Sequence, residues 1–96
     1  MIIGKKLREL REKKGLLLRQ VAAELEVDTA YISKMERGEK NIKKEYITKL
    51  SEIYNFDKNK LIAIWLADKI LENLKNEPMA LNAMNIAQKH LNKPDK

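Results

Sequence analysis

The first part of the chain has apolar residues at the spacing of an amphipathic helix. Ile3, Leu7 and Leu10 lie at i, i+4 and i+7, and such positions share one face of a helix. Gly15 follows, and glycine is favoured just after a helix because it takes the left-handed conformation without a steric penalty. The pattern therefore predicts a first helix over residues 3–14 that ends at Gly15.

Two short apolar segments follow, with only three residues between them. The first predicts a helix that begins at Leu17 or Leu18 and ends near Leu25. The second predicts a helix that continues to Arg37 and has Asp28 as its N-cap, a position where Asp is favoured. Helices joined by so short a turn must cross at a steep angle, so the second of them projects one flank outward.

The remaining sequence predicts three more helices. We expect a fourth helix over residues 43–54 and a fifth over 58–75, with Asp57 as the N-cap of the fifth. Pro78 suits the first position of a sixth helix over 78–92. Three glycines and two prolines in 96 residues leave little for strands and tight hairpins, so the fold class predicted is all-α.

The projecting flank of the third predicted helix has side chains that can recognise DNA bases. A helix is about 10–12 Å across, and the major groove of B-DNA is about 12 Å wide. With Ile32 and Met35 turned to the core, the outer residues are small or polar, and they can hydrogen-bond base edges or contact a thymine methyl group. The predicted base-reading residues are Thr29, Ala30, Ser33 and Lys34.

Basic and polar residues surround this flank and are predicted to bind the DNA backbone. A net charge of +6 and a pI of about 9.6 permit a polyanionic partner, either nucleic acid or an acidic membrane surface. The positive ends of the second and third helices also suit phosphate. The candidates for phosphate contact are Tyr31, Arg37, Lys40, Asn41, Lys43 and Lys44.

These assignments have plainer alternatives. The outer flank of the third helix also fits an ordinary solvated face. The lysines that follow it stand among Glu39 and Glu45, and a loop of mixed charge is commonly just soluble. Tyr31 also suits packing of its ring over the turn.

The combination of segments resembles the XRE-type helix-turn-helix domain of Cro and the phage repressors. The similarity rests on LRELREKKG, VAAELEVDTAYISKMERGEKNI and ITKLSEIYNFDKNKL, and it covers residues 3–61 without gaps. Its most specific pieces are A-x-x-L-x-V and I-S-K-M-E-R-G. The resemblance implies a five-helix lambda-repressor-like domain over residues 1–61, with the helix-turn-helix at about 18–37 and its second helix in the major groove. Residues 62–92 would form an additional C-terminal extension, followed by a frayed tail at 93–96.

The resemblance also implies an ion pair between Arg11 and Glu36. Arg11 lies on the apolar stripe of the first helix, where an unpaired charge is costly, so the residues themselves support this pair. Its expected role is to fix the angle of the third helix without touching DNA.

Two positions depart from the family pattern. Leu18 stands where many members have a phosphate-binding Gln, so we expect Arg19, Gln20 or the backbone amides alone to replace that contact. Glu26 stands where the turn often has Gly. A left-handed Glu costs about 1 kcal/mol, so the turn is expected to differ slightly.

Several functional classes lack the residues that they need. No cysteine is present, which excludes a disulfide framework or a thiolate metal site and fits a reducing cytoplasm. The start MIIGKK has no signal-peptide pattern, and the longest apolar run, residues 61–67, is far shorter than the roughly 20 residues that span a bilayer. His90 is the single histidine, and no acid–base constellation or Gly-rich phosphate loop accompanies it. We expect a soluble cytoplasmic protein that is not an enzyme and holds no metal or cofactor.

Residues 62–92 carry more apolar surface than a small core needs, and such surface commonly marks an interface. We expect a C2 homodimer that places two reading helices about 34 Å apart on a palindrome. A different protein partner is one alternative, because methionines suit an adaptable surface. A helical hairpin that buries its own apolar side is another. The predicted interface residues are Ile62, Trp65, Leu66, Ile70, Leu74, Met84 and Leu91.

Together these features predict a sequence-specific double-stranded DNA-binding transcription regulator that acts by occupying its operator. Restriction–modification controllers and autorepressing antitoxins are regulators of this size, and the sequence does not choose between them. The alternative is a protein-interaction module or antitoxin-like partner protein, in which the C-terminal helices are the working surface and DNA binding is secondary.

Overall fold

The chain contains only α-helices and loops over residues 1–92, which are the residues that the computed structural model describes. This confirms the all-α prediction, and each helix begins and ends within two residues of its predicted position. The expected frayed tail, residues 93–96, lies outside the described part of the chain. The helices are α1 (Ile2–Lys13), α2 (Leu18–Leu25), α3 (Thr29–Glu36), α4 (Lys44–Ile53), α5 (Lys58–Leu74) and α6 (Ala80–Asn92).

The turn between α2 and α3 is left-handed although it contains no glycine. Glu26 has φ 59° and ψ 47°, and the N–H of Val27 donates to the carbonyl oxygen of Ala22 at 3.0 Å. The expectation that this turn would differ because of Glu26 is therefore wrong. The cost of about 1 kcal/mol is offset by packing, because the tight turn brings α3 against α2.

Two predicted helix starts differ in detail from the structure. Asp28 occupies the N-cap position of α3, but its side chain makes no capping hydrogen bond. Asp57 does cap α5, because its carboxylate accepts a hydrogen bond from the backbone N–H of Lys60 at 3.1 Å. Helix α6 begins at Ala80 and not at Pro78, since a hydrogen bond from Ala80 N–H to the carbonyl of Glu77 first closes a turn around the proline.

The core lies among α1 to α5 and holds α3 against two neighbours. Gly4 allows α1 to approach the end of α3, because a Cβ at this position would lie only 2.7 Å from the carbonyl oxygen of Glu36. Ala22 of α2 is likewise small and buried. These close contacts leave the opposite flank of α3 open. The largest fully buried side chains are Ile3, Leu7, Val21, Ile32, Met35, Ile47, Leu50 and Leu61.

Helix α5 continues without a break through residue 62, where we expected the extension to begin. Its first half belongs to the folded domain, since Ile62 and Trp65 pack against the core. The buried carboxylate of Asp68 accepts hydrogen bonds from the first two backbone N–H groups of α1, at 2.8 and 2.7 Å. These bonds satisfy donors that have no partner within α1. Packing of α5 on the domain therefore reaches Asp68.

Helix α6 stands away from the rest of the molecule. None of its residues is buried, and Leu81 and Leu91 are 75% and 84% exposed. An open, mainly apolar groove of about 980 Å³ separates α6 from the second half of α5. The alternative of a hairpin that buries its own surface is therefore wrong for the described residues, because the apolar side chains of α6 remain exposed.

Candidate nucleic-acid interface

Helix α3 presents one flank to solvent, as the sequence predicted. Ile32 and Met35 are buried on its inner flank. Ser33 is half-buried and contacts Arg37 one turn further on. The other predicted base-reading residues, which are all exposed, are Thr29, Ala30 and Lys34.

A buried ion pair fixes the C-terminal end of α3. The Nε atom of Arg11 lies 2.7 Å from Oε2 of Glu36, and Nη2 lies 3.1 Å from Oε1, so the pair is bidentate. The side chains are only 13% and 5% exposed. Hydrogen bonding to Glu36 raises the pKa of Arg11. The remaining guanidinium nitrogen, Nη1, donates to the carbonyl oxygen of Leu16 at 2.9 Å, which ties the α1–α2 loop to the same point.

Arg37 is paired within the protein and does not project freely. Its guanidinium makes two hydrogen bonds to the carboxylate of Glu39, and the third contact is to the hydroxyl of Ser33. The hydrogen bond from Arg37 lowers the pKa of Glu39 and raises that of Arg37. A predicted phosphate contact, a predicted base reader and an acidic side chain thus form one exposed cluster, which the sequence did not reveal.

Tyr31 packs its ring within the protein, and its contact to phosphate stays a prediction. Its ring is half-buried and meets the ring of Tyr46 edge to face, with centroids 5.8 Å apart. The ammonium of Lys40 lies 5.8 Å from the centre of the Tyr31 ring, a distance typical of a cation–π contact. Tyr46 was missed by the sequence reasoning, because an aromatic residue near the start of α4 reads equally well as core.

At the start of α2, the side chains that could bind phosphate differ from those of the family pattern. Gln20 turns its side chain back, and its Oε1 accepts a hydrogen bond from the N–H of Leu17 at 2.7 Å. This is the returning half of a capping box, and it leaves the amide N–H₂ group as donor. Arg19 is exposed, and Leu18 is half-buried against the core.

The loop between α3 and α4 carries the other predicted phosphate contacts. It is anchored at Ile42, whose side chain is buried and whose carbonyl oxygen accepts a hydrogen bond from Nε1 of Trp65 at 2.6 Å. Trp65 was predicted as partner surface, but here it supports this loop. The exposed polar residues that the loop and the start of α4 present are Lys40, Asn41, Lys43 and Lys44.

A metal-binding cluster and a membrane-spanning helix are both absent from the described residues 1–92. Within them, no group of three or more His, Cys, Asp or Glu side chains could hold a metal ion. No helix in that part of the chain is long and apolar enough to cross a membrane.

Comparison with known proteins agrees with this geometry. Residues 7–61, more than half of the chain, match the helix-turn-helix family, and they contain α2, α3 and the turn between them. The chain is also 32% identical, over 62 residues, to the HTH-type transcriptional regulator DdrOP3 of Deinococcus deserti. That similarity covers 65% of this chain and 48% of the relative, so the chain spans about half the length of the curated relative it matches. The chain therefore belongs to the helix-turn-helix family.

Proposed function

We propose that this protein is a transcription regulator that binds double-stranded DNA in a sequence-specific manner, with α3 in the major groove. The observation that supports the proposal is that α3 is fixed to the core while its outer flank is exposed to solvent. Its end is fixed to α1 by the bidentate Arg11–Glu36 pair, at 2.7 and 3.1 Å, while its exposed side can enter a groove. A rigid helix of this kind, crossing a second helix after a short turn, is the reading element of helix-turn-helix proteins.

Each outer residue of α3 suits contact with a different group on a base. Lys34 reaches the O6 and N7 acceptors of guanine, and Thr29 can donate to or accept from several bases. Ala30 suits contact with a thymine methyl group. Ser33 accepts a hydrogen bond from Arg37, and its own hydroxyl proton is left to donate to a base.

The exposed residues around this flank are proposed to bind phosphate. Lys40 is held over Tyr31, and Lys43 follows the anchored Ile42, so both charges are carried by a supported loop. Contacts to phosphates set the register of the protein on the duplex but do not read sequence. The other residues proposed for this role are Arg19, Gln20, Tyr31, Arg37, Asn41 and Lys44.

The second half of α5 and the whole of α6 are proposed to form a homodimer interface. Leu66 and Ile70 are 47% and 46% exposed, and Leu91 is 84% exposed. Two copies joined here would read a palindrome with half-sites about one helical turn apart. Such a protein would act by occupancy, as an autorepressor or a restriction–modification controller.

The exposed apolar residues of α6 also favour a second function, a protein-interaction module in which DNA binding is secondary. Its apolar residues could receive a different protein, as an antitoxin receives its toxin. In that case changes at Ser33 and Lys34 would leave the working activity intact. The effect of changes at Ser33 and Lys34 on the preference for particular DNA sequences therefore distinguishes the two functions.

Salt dependence tests the electrostatic part of the proposal. If each subunit neutralises about four phosphates, the log of the association constant of the dimer should fall with log salt at a slope of about −7. Lys43→Ala should reduce that slope by about 1 for each subunit. The measurement is a salt titration of binding to a fluorescent duplex of mixed sequence.

Lys58→Ala is the matched control for this titration. It removes the same charge at the start of α5, beyond the far end of the 10-residue α4, which is about 15 Å long. The slope of this variant should equal that of the unaltered protein. A slope near zero, or equal effects of the two substitutions, would contradict phosphate binding at the α3–α4 loop.

A further inference from the structure

The turn after α3 places the acidic side chain of Glu39 beside the flank that is proposed to read DNA. Helix α3 ends in a Schellman motif, in which Gly38 has φ 77° and donates to the carbonyl of Met35. The N–H of the next residue, Glu39, donates to the carbonyl of Lys34 at 2.8 Å. The backbone of Glu39 is therefore fixed beside the last turn of α3, among residues proposed to bind DNA.

Glu39 uses this position to occupy the guanidinium of Arg37. Its Oε2 lies 3.0 Å from Nε, and its Oε1 lies 3.1 Å from Nη2. Both side chains are 53% exposed, so water and ions compete for the same groups. Hydrogen bonding to Arg37 is the main cause of the lowered pKa of Glu39, and the charge of Lys34 adds a smaller contribution.

The geometry of this pair is the geometry with which arginine binds phosphate. Guanidinium groups bind carboxylate and phosphate through the same planar, two-pronged arrangement. The same two guanidinium nitrogens of Arg37 cannot bind Glu39 and a DNA phosphate at the same time. The pair is exposed, so exchange requires no rearrangement of the core.

We propose that Glu39 is an internal phosphate mimic, which occupies Arg37 in the free protein and competes with the DNA backbone for it. This inference rests on the proposed DNA binding and adds a residue that lowers affinity. Each encounter with DNA must displace Glu39 from Arg37 or proceed without that contact. Glu39 thereby weakens binding to any duplex by a similar factor, because a phosphate contact does not depend on the base sequence.

The test measures binding of the full chain to a duplex of mixed sequence at low salt. Glu39→Gln should tighten binding about two- to fivefold for each subunit, the range expected when one exposed ion pair no longer competes. The slope of log association constant against log salt should steepen by about 1 for each subunit, because Arg37 then neutralises a phosphate. Arg37→Gln and the double variant complete a cycle, in which most of the gain from Glu39→Gln should disappear when Arg37 is absent.

Glu45→Gln is the matched control, since it removes one exposed carboxylate in the first turn of α4 without touching Arg37. Equal gains in DNA affinity from Glu39→Gln and Glu45→Gln would mean that only the net charge of the protein matters, and this result would overturn the proposal. A gain that persists in the Arg37→Gln background, or weaker binding by Glu39→Gln, would also overturn it. DNA binding by the unaltered protein would stand in all three cases, whereas failure of every variant to bind would overturn the proposed function itself.

Discussion

Replacement of Glu36 by Gln is expected to lower the free energy of unfolding by about 3 kcal/mol. The substitution keeps the size of the side chain but leaves the guanidinium of Arg11 without a counter-charge. That guanidinium side chain is only 13% exposed, so water cannot compensate fully. Because the pair fixes the end of α3 to α1, the loss should also weaken DNA binding. Chemical denaturation followed by circular dichroism measures the first effect.

Two further variants make this stability measurement specific. Glu12→Gln removes the exposed pair with Arg8, whose side chains are 64% and 55% exposed, and should cost less than about 1 kcal/mol. Joint replacement of Arg11 by Met and Glu36 by Leu should recover most of the stability, because no unpaired charge remains buried. If Glu36→Gln cost no more than Glu12→Gln, the pair would not hold α3 in place.

The second large effect is expected from joint replacement of Ser33 and Lys34 by Ala. A good contact to a base edge contributes about 1–3 kcal/mol of discrimination, so preference for a selected operator over mixed-sequence DNA should fall by about 100-fold or more. Neither residue belongs to the core, so the fold should remain. Competition binding between the selected operator and the mixed duplex measures the preference.

Lys58→Ala serves again as the charge control for this variant. It should lower neither the preference nor the stability of the protein. Retention of the preference after loss of both Ser33 and Lys34 would contradict major-groove reading by α3. That result would favour the protein-interaction module, with α6 as its working surface.

The sequence predicted the helices and the reading flank because both depend on short-range patterns. Gly15 and Gly38 mark helix ends through their own backbone freedom, and Ile32 and Met35 define the inner side of α3 by spacing alone. The Arg11–Glu36 pair was implied by the family resemblance, and it was supported by the position of Arg11 on an apolar stripe, where a charge requires a partner. The helix ends and the inner side of α3 need no knowledge of how distant elements pack, whereas the ion pair joins α1 to α3.

The sequence could not predict contacts that depend on the choice among several equivalent partners. Arg37 stands near both Ser33 and Glu39, and only the turn at Gly38 brings the carboxylate back to it. Trp65 fits an amphipathic pattern whether it faces a partner or, as here, the loop at Ile42. The exposure of α6 was also not predictable, because the sequence of an apolar helix does not indicate which surface the helix will pack against.

The most direct test of DNA reading is selection of duplexes bound by the intact protein from a library of random sequence, followed by sequencing. A homodimer that reads DNA with α3 should enrich a palindrome with half-site centres about 10–11 base pairs apart. A single enriched half-site would retain DNA reading but contradict the dimer joined through α5 and α6. No enrichment at moderate salt would contradict the central claim that α3 reads DNA sequence.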